Sequence, residues 1–369
     1  MMTTQTIFSP DLAGIEVGET SISNVDGEAG ILSYRGYPIE DLVDKPFMQV
    51  VWQVLFGTEP SAEERSALEG FMATHSKLNA TELAVLSALP KDLHPMLMLQ
   101  TMVPMLGLTP TSELSGLSAT AHNGLIIAAK LPSLIARWRQ RERGNTVTSI
   151  NASLSLHENF LMMFNGAAPT DNQTKVLDAT QILQMEHSFN AGTFAGRVCA
   201  STLAPIQSSI AASIGTLFGV LHGGADQAAL EMAATIGSPE LAASYVAKCL
   251  AEKTKIMGMG HREYKVVDPR ANILKPMAAK LCDSGDAKRL FDTLVAVETE
   301  CNQAFSANGK EIWANVEFYK GAVFYQLGVP PHYFTALFAM ARVYGYIAHY
   351  LEFSDNSKLI RPRAKYVGK

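Results

Sequence analysis

AGTFAGRVCASTLAPIQSSIAASIGTLFG, residues 191–219, decides the fold. It is apolar, rich in Ala, Ser and Gly, and interrupted by one proline, Pro205. Small side chains let helices approach closely, so this stretch, with its flanks from Asp178 to Val220, predicts central helices buried on several sides. Pro205 is expected to break or kink the run, because proline lacks a backbone N–H and clashes with the preceding turn.

Helical patterns continue outward in both directions. Upstream lie IEDLVDKPFMQVVWQVLFG (39–57), ending on Gly57, and SAEERSALEGFMATH (61–75), which opens with a Ser61-x-x-Glu64 capping box. HPMLMLQTMVPMLG (94–107), SATAHNGLIIAAKL (118–131) and PSLIARWRQRERG (132–144) follow. Downstream, helical spacing runs through 224–237, 244–255, 269–283, 287–308, 319–328 and 332–353, with a Gly-rich loop, MGMGH, at 257–261. Strand candidates are confined to the N-terminal region, at IEVGETSI (15–22) and GILSYRG (30–36). The reading is all-α.

With 369 residues, 47% hydrophobic and 18% charged, the chain can bury a sizeable core, and the length fits two domains. A net charge of −5 argues against general nucleic-acid binding, which needs a basic face. Cys199, Cys249, Cys282 and Cys301 form no CxxC pair, so they read as reduced thiols of a cytoplasmic protein. The start MMTTQTIFSPDLAG lacks the basic and apolar regions of a secretory signal, and no apolar run reaches the length of a membrane span.

Four polar clusters interrupt the apolar helices: Glu186–Asn190; Leu221–Ala225 around His222; Gly258–Arg262 around His261, continuing to Asp268-Pro269-Arg270; and Asn315–Tyr319 around Glu317. Taken singly, each has an ordinary explanation. A buried histidine is more often a satisfied core group, Gly223-Gly224 can be a turn, and Glu317 can be a helix-start carboxylate. Three histidines and a glutamate raise a metal reading, but the spacings match no HExxH or knuckle motif, and no metal is assigned. Together the clusters read differently. His222 and His261 sit beside glycines, where backbone approaches a ligand closely, and several arginines follow. Arginine forks suit carboxylates. Arginines, neutral histidines and one carboxylate base are what enolisation of a thioester beside a dicarboxylate requires.

These clusters, in this order, resemble the citrate synthase family. The resemblance runs from VGETSISNVDGEAGILSYRGYPIEDL (17–42) through LHGGA (221–225), GHREYKVVDPRA (260–271), NVEFY (315–319) and FAMARVYGYIAHYLE (338–352) to LIRPRAKYVG (359–368). It implies the citrate synthase fold: a large helical domain of residues 1–223 and 329–369 and a smaller inserted helical domain of residues 224–328, with the active site in the cleft between them. It implies condensation of acetyl-CoA with oxaloacetate and water to citrate and CoA. The alternatives are 2-methylcitrate formation from propionyl-CoA, or a low-activity paralogue with a binding or assembly role. No cofactor is implied beyond acyl-CoA as co-substrate, and the expected assembly is a homodimer.

By the same resemblance, His222 donates to the thioester oxygen, His261 polarises the ketone, and Glu317 removes the methyl proton. His187, Arg270 and Arg342 hold oxaloacetate, and Arg361 reaches the neighbouring subunit's site. Ile256, Met257, Gly258, Met259 and Gly260 lie along the adenine of CoA, and Lys265, Lys310 and Asn315 contact the rest of it. The chain departs from the family pattern NVDFYSG, which here reads NVEFYKG: Glu317 and Lys320 stand in place of Asp and Ser. Met259 replaces an aromatic, Gln100 an arginine, and Asn190-Ala191-Gly192-Thr193 stands for NAST. If NVEFYKG opens a helix, Lys320 lies one turn from Glu317 and pairs with it.

Overall fold

The computed structural model describes residues 8–147, 149–354 and 358–368. The first seven residues of the N-terminal segment read above lie outside them. Three short strands, β1 (Ser23–Asp26), β2 (Ile31–Tyr34) and β3 (Tyr37–Pro38), form an antiparallel sheet in that order. Among the described residues every later element is a helix, apart from one isolated bridge between Met259 and Ala314. The helices are α1 (Ile39–Leu42), α2 (Phe47–Phe56), α3 (Ala62–His75), α4 (Ala80–Ala88), α5 (Pro95–Met102), α6 (Ala119–Arg143), α7 (Leu156–Asn165) and α8 (Asp171–Gln184). The small-residue stretch forms α9 (Ala191–Ala200) and α10 (Ile206–Leu217). Then come α11 (Ala225–Ile236), α12 (Ala242–Glu252), α13 (Pro269–Leu281), α14 (Gly285–Ala307), α15 (Val316–Gln326) and α16 (Phe334–Ser354).

The boundaries follow local chemistry. Capping boxes start α3 at Ser61 and Glu64, α4 at Asn79 and Glu82, α7 at Ser155 and Glu158, and α8 at Thr170 and Gln173. Left-handed glycines 57, 144 and 166 end α2, α6 and α7. Pro205 separates α9 from α10 as expected and precedes the first residue of α10.

Three expectations are corrected. IEVGETSI is not a strand; the first strand begins at Ser23, where pairing with β2 supplies its hydrogen bonds. Residues 39–57 form two helices, because Pro46 disfavours helical geometry at Lys45 and caps α2 instead. Residues 118–144 form one helix that carries Pro132 internally, within a side that is buried from Leu125 to Ala136. Tertiary packing there outweighs the lost hydrogen bond.

At the centre, α16 is buried at every position from Phe334 to His349, the pattern of a helix enclosed on all sides. It packs on α6, α8, α9, α10 and α2. Helices α11 to α15 pack mainly on one another, and α13 touches α8. The loops before α9, α11 and α13 and the start of α15 therefore meet near one side of α16.

Candidate active site

The loop after α8 brings Glu186 and His187 to the site, and Asn190 caps α9, accepting from the Thr193 amide at 3.1 Å. His187 is 8% exposed, and its Nε2 lies 3.2 Å from the Tyr264 hydroxyl. The His187 and His261 rings stand 5.5 Å apart, and the His261 and Tyr264 rings 4.7 Å.

Backbone geometry sets the His261 tautomer. Its Nδ1 accepts from the amides of Glu263 (3.0 Å) and Tyr264 (3.2 Å). The neutral ring therefore carries its proton on Nε2. That atom lies 3.4 Å from Nη2 of Arg270. Two donors side by side, one of them cationic, form a ready site for a carbonyl or carboxylate oxygen.

Arg270 is held by Asp268 through two bonds, Nε to Oδ1 at 3.0 Å and Nη2 to Oδ2 at 2.9 Å. Asp268 also accepts the amide of Val316 at 3.1 Å, which ties the start of α15 to the same carboxylate. Burial opposes both charges. The pairing outweighs it, lowering the Asp268 carboxyl and raising the Arg270 guanidinium. Arg342, 1% exposed on α16, donates from Nε to the carbonyl of Gln184 at 2.6 Å and lies over the Phe338 ring.

His222, in the turn before α11, faces this group. Its Nε2 is 3.2 Å from Asn190 Oδ1 and 3.4 Å from the Gly192 amide. Burial first, and Arg342 second, push its pKa down to about 4. Burial and Arg270 do the same to His261, also to about 4, and His187 is lowered well below its usual value by burial, Arg270 and His261. All three rings are neutral donors or acceptors at pH 7. Glu317, one residue past Asn315 and Val316 at the head of α15, exerts its negative charge on both His222 and His261. The structure thus gathers His187, His222, His261, Arg270, Arg342 and Glu317 into one polar cluster of two guanidiniums, three neutral imidazoles and a carboxylate whose charge is felt by His222 and His261.

Beneath Glu317, Lys320 is fully buried and ion-paired with it, as the helical spacing predicts. Lys320 Nζ is also 3.1 Å from Asp226 Oδ2, and its hydrogen bond goes to Gln184 Oε1 at 2.9 Å. Burial, opposed by Lys320, raises the Asp226 carboxyl to about 6.

The loop of Ile256 to Gly260 is pinned to the strand-like segment before α15. The Gly260 amide donates to Trp313 at 2.7 Å, the Asn315 amide to Gly258 at 3.0 Å, and Asn315 Nδ2 to Gly260 at 2.8 Å. Gly258 has φ +78°, and a Cβ there would meet Phe318 at 2.7 Å, so this position admits glycine alone. Ile256 and Met259 are buried, and Met257 is half-buried. Beside the loop, a cavity of about 340 Å³ is lined by Gly260, His261, Lys265, Ile312 and Trp313 among others. Lys265 and Lys310 are exposed. Arg361 is not drawn into the cluster. It lies exposed on the C-terminal segment, in a groove of about 990 Å³ shared with Val17, Phe194, Val198 and Phe353. Among the described residues, no group of three or more His, Cys, Asp or Glu side chains is placed to hold a metal ion, and no helix is long and apolar enough to cross a membrane.

A family model described as citrate synthase, C-terminal domain, matches residues 11–363. The chain belongs to the citrate synthase family. It is 38% identical to a citrate synthase of Acidithiobacillus ferridurans, over 98% of this chain and 96% of that one. It is 36% identical to a 2-methylcitrate synthase of Shewanella oneidensis, over 97% and 94%. The solved citrate synthase of Pyrobaculum aerophilum superimposes with a TM-score of 0.91 at 34% identity, covering 98% of this chain and 94% of that one. The fold is that of citrate synthase, and the chain is a condensing enzyme of the acyltransferase type.

The sequence left four contributors without a role: Tyr264, Asp268, Asp226 and Gln184. Asp268 carried a usable cue, since an Asp-Pro-Arg start of a helix places a capping carboxylate beside the arginine. Asp226 reads as an ordinary first-turn acid, and nothing local marks Gln184.

Proposed function

We propose that the protein condenses acetyl-CoA with oxaloacetate and water to citrate and CoA. The observation that carries this reading is the pair of donors at His261 Nε2 and Arg270 Nη2, 3.4 Å apart, with Glu317 near enough to act electrostatically on both His261 and His222. Oxaloacetate sits against Arg270, Arg342 and His187, its ketone oxygen receiving the His261 donor. Glu317 takes a proton from the acyl methyl group while His222 stabilises the enolate oxygen. The enol carbon attacks the polarised ketone, and water then cleaves the citryl thioester. CoA lies along Ile256–Gly260, with Lys265 and Lys310 toward its phosphates and Asn315 beside them. No step calls on a metal or bound cofactor.

Residues 1–223 and 329–369 act as one domain and 224–328 as another, and oxaloacetate draws them together. His187, His222 and Arg342 come from the first body and His261, Arg270 and Glu317 from the second, so ligand contacts are completed by closure. The working unit is a cytoplasmic homodimer in which Arg361 serves the partner's site.

Propionyl-CoA is the second reading, supported by the similarity to the S. oneidensis 2-methylcitrate synthase. One methylene in an acyl pocket discriminates by only about 1–3 kcal/mol. The test is thiol release with oxaloacetate and acetyl-, propionyl- or butyryl-CoA. Fastest turnover on acetyl-CoA supports the first reading and fastest on propionyl-CoA the second. Binding of oxaloacetate without turnover on any of them refutes both and leaves a binding or assembly role.

A further inference from the structure

Lys320 is an uncommon neighbour for a general base. An ammonium in contact with a single carboxylate stabilises its ionised form and makes it a poorer proton acceptor. Here the ammonium does not face Glu317 alone. Asp226, wholly buried on α11, lies 3.1 Å from Nζ, and Gln184, at the end of α8, takes its hydrogen bond at 2.9 Å. Two carboxylates share one cation, which leaves one net negative charge in the cluster. Asp226 and Lys320 are sealed from solvent, whereas the Glu317 side chain is 13% exposed. The charge that a substrate can reach therefore resides on Glu317. The other charged and titratable groups acting here are Arg342 from α16, His222 from the turn before α11 and His261 from the loop before α13.

We propose that Asp226 and Lys320 are positioning residues that form a charge-balanced floor under Glu317. Asp226 takes up the charge of Lys320, and Lys320 fixes the direction of the Glu317 carboxylate and keeps it from sharing a proton with Asp226. Gln184 joins this floor to the substrate clamp, because its side chain holds Lys320 while its carbonyl holds Arg342. Glu317 and Lys320, the two departures from the NVDFYSG pattern, are thus direct partners, and Asp226 is the third member that makes them compatible. The inference rests on the reading of Glu317 as the base.

The test compares wild type, Asp226→Asn, Lys320→Met and the double variant. Three quantities are measured: steady-state turnover, oxaloacetate binding by calorimetry, and the primary isotope effect with methyl-deuterated acetyl-CoA, or C2-deuterated propionyl-CoA if that is the better substrate. Asp226→Asn leaves Lys320 to Glu317 alone, and Lys320→Met leaves two carboxylates without their cation. Each is expected to lower kcat about tenfold or more, to leave oxaloacetate affinity within about twofold, and to raise the isotope effect as proton removal becomes limiting. The double variant returns the cluster to its wild-type net charge of −1, carried on Glu317, and is expected to exceed both single variants in kcat. If a single variant fails to fold, recovery in the double variant still supports the floor. A double variant no more active than the poorer single one, or single variants with wild-type kcat and isotope effect, overturns the proposal. Wild type that releases no CoA with oxaloacetate present would instead overturn the underlying function.

Discussion

Asp268 offers the sharpest test of how the site is built. It is 1% exposed, grips Arg270 with both oxygens and also accepts the Val316 amide. Asp268→Asn keeps the volume but removes the charge, and its amide nitrogen turns a donor toward a guanidinium that only donates. Arg270, 4% exposed, is left buried without its counter-ion. Breaking a buried pair from one side costs about 3–5 kcal/mol, because the remaining charge stays desolvated. With an unfolding entropy of about 2.1 cal/mol/K per residue, a chain of 369 residues loses about 1.3 °C of Tm per kcal/mol, so a drop of about 4–6 °C is expected. Calorimetric melting of Asp268→Asn, Arg270→Gln and the double variant checks this. The double variant, which buries no lone charge, is expected to melt above Asp268→Asn. A fall below about 2 °C in Asp268→Asn, or a double variant that merely adds the two losses, would refute the view that Asp268 exists to hold Arg270.

Glu317→Gln is expected to abolish turnover and leave oxaloacetate binding nearly unchanged, because the amide keeps the shape but cannot take the proton; single-turnover CoA release with calorimetry on the same protein decides, and wild-type rates would place the base elsewhere. Stability is expected to fall as pH drops from about 6.5 toward 4. His222 and His261 have folded pKa values of about 4, so the unfolded chain binds more protons in that window, and each costs up to about 3 kcal/mol once both states are charged. Denaturant titrations at pH 7.5 and 4.5 measure it, and equal midpoints would contradict the burial of neutral rings. Arg361→Ala is expected to weaken oxaloacetate binding while leaving the dimer intact, and mixing Arg361→Ala with His222→Ala subunits should restore one competent site per heterodimer. Verified heterodimers with no recovered activity would remove Arg361 from the partner's site.

How far the sequence could be read depended on whether each signal was local. Helix positions were legible because the apolar spacing, the Ser61–Glu64 box and Pro205 all act within a turn or two of themselves. IEVGETSI was misread because its β-like composition says nothing of a pairing partner, and β2 pairs with the segment after it. Pro132 was read as a helix start because a proline favours that position, yet the buried surroundings of α6 carry the helix through it. The same divide holds in the site. His222, His261, Arg270 and Glu317 stood out as polar residues in apolar or glycine-rich settings, and the pairing of Lys320 with Glu317 follows from one helical turn.

What makes that pairing tolerable does not follow from any local pattern. Asp226 lies on another helix, and Gln184 on a third. Their convergence on one ammonium is a product of how α8, α11 and α15 pack, so the sequence shows the pairing of Lys320 with Glu317 without the groups that balance it. In the folded chain it is one charge among three, and whether it impairs Glu317 depends on Asp226. A single-residue substitution toward the family pattern, Lys320→Ser, therefore should not improve this enzyme: it leaves Asp226 buried beside Glu317 with no cation between them, the arrangement in which two carboxylates come to share a proton. Higher turnover in Lys320→Ser than in wild type would show that the lysine is a burden after all and that Asp226 does not balance it.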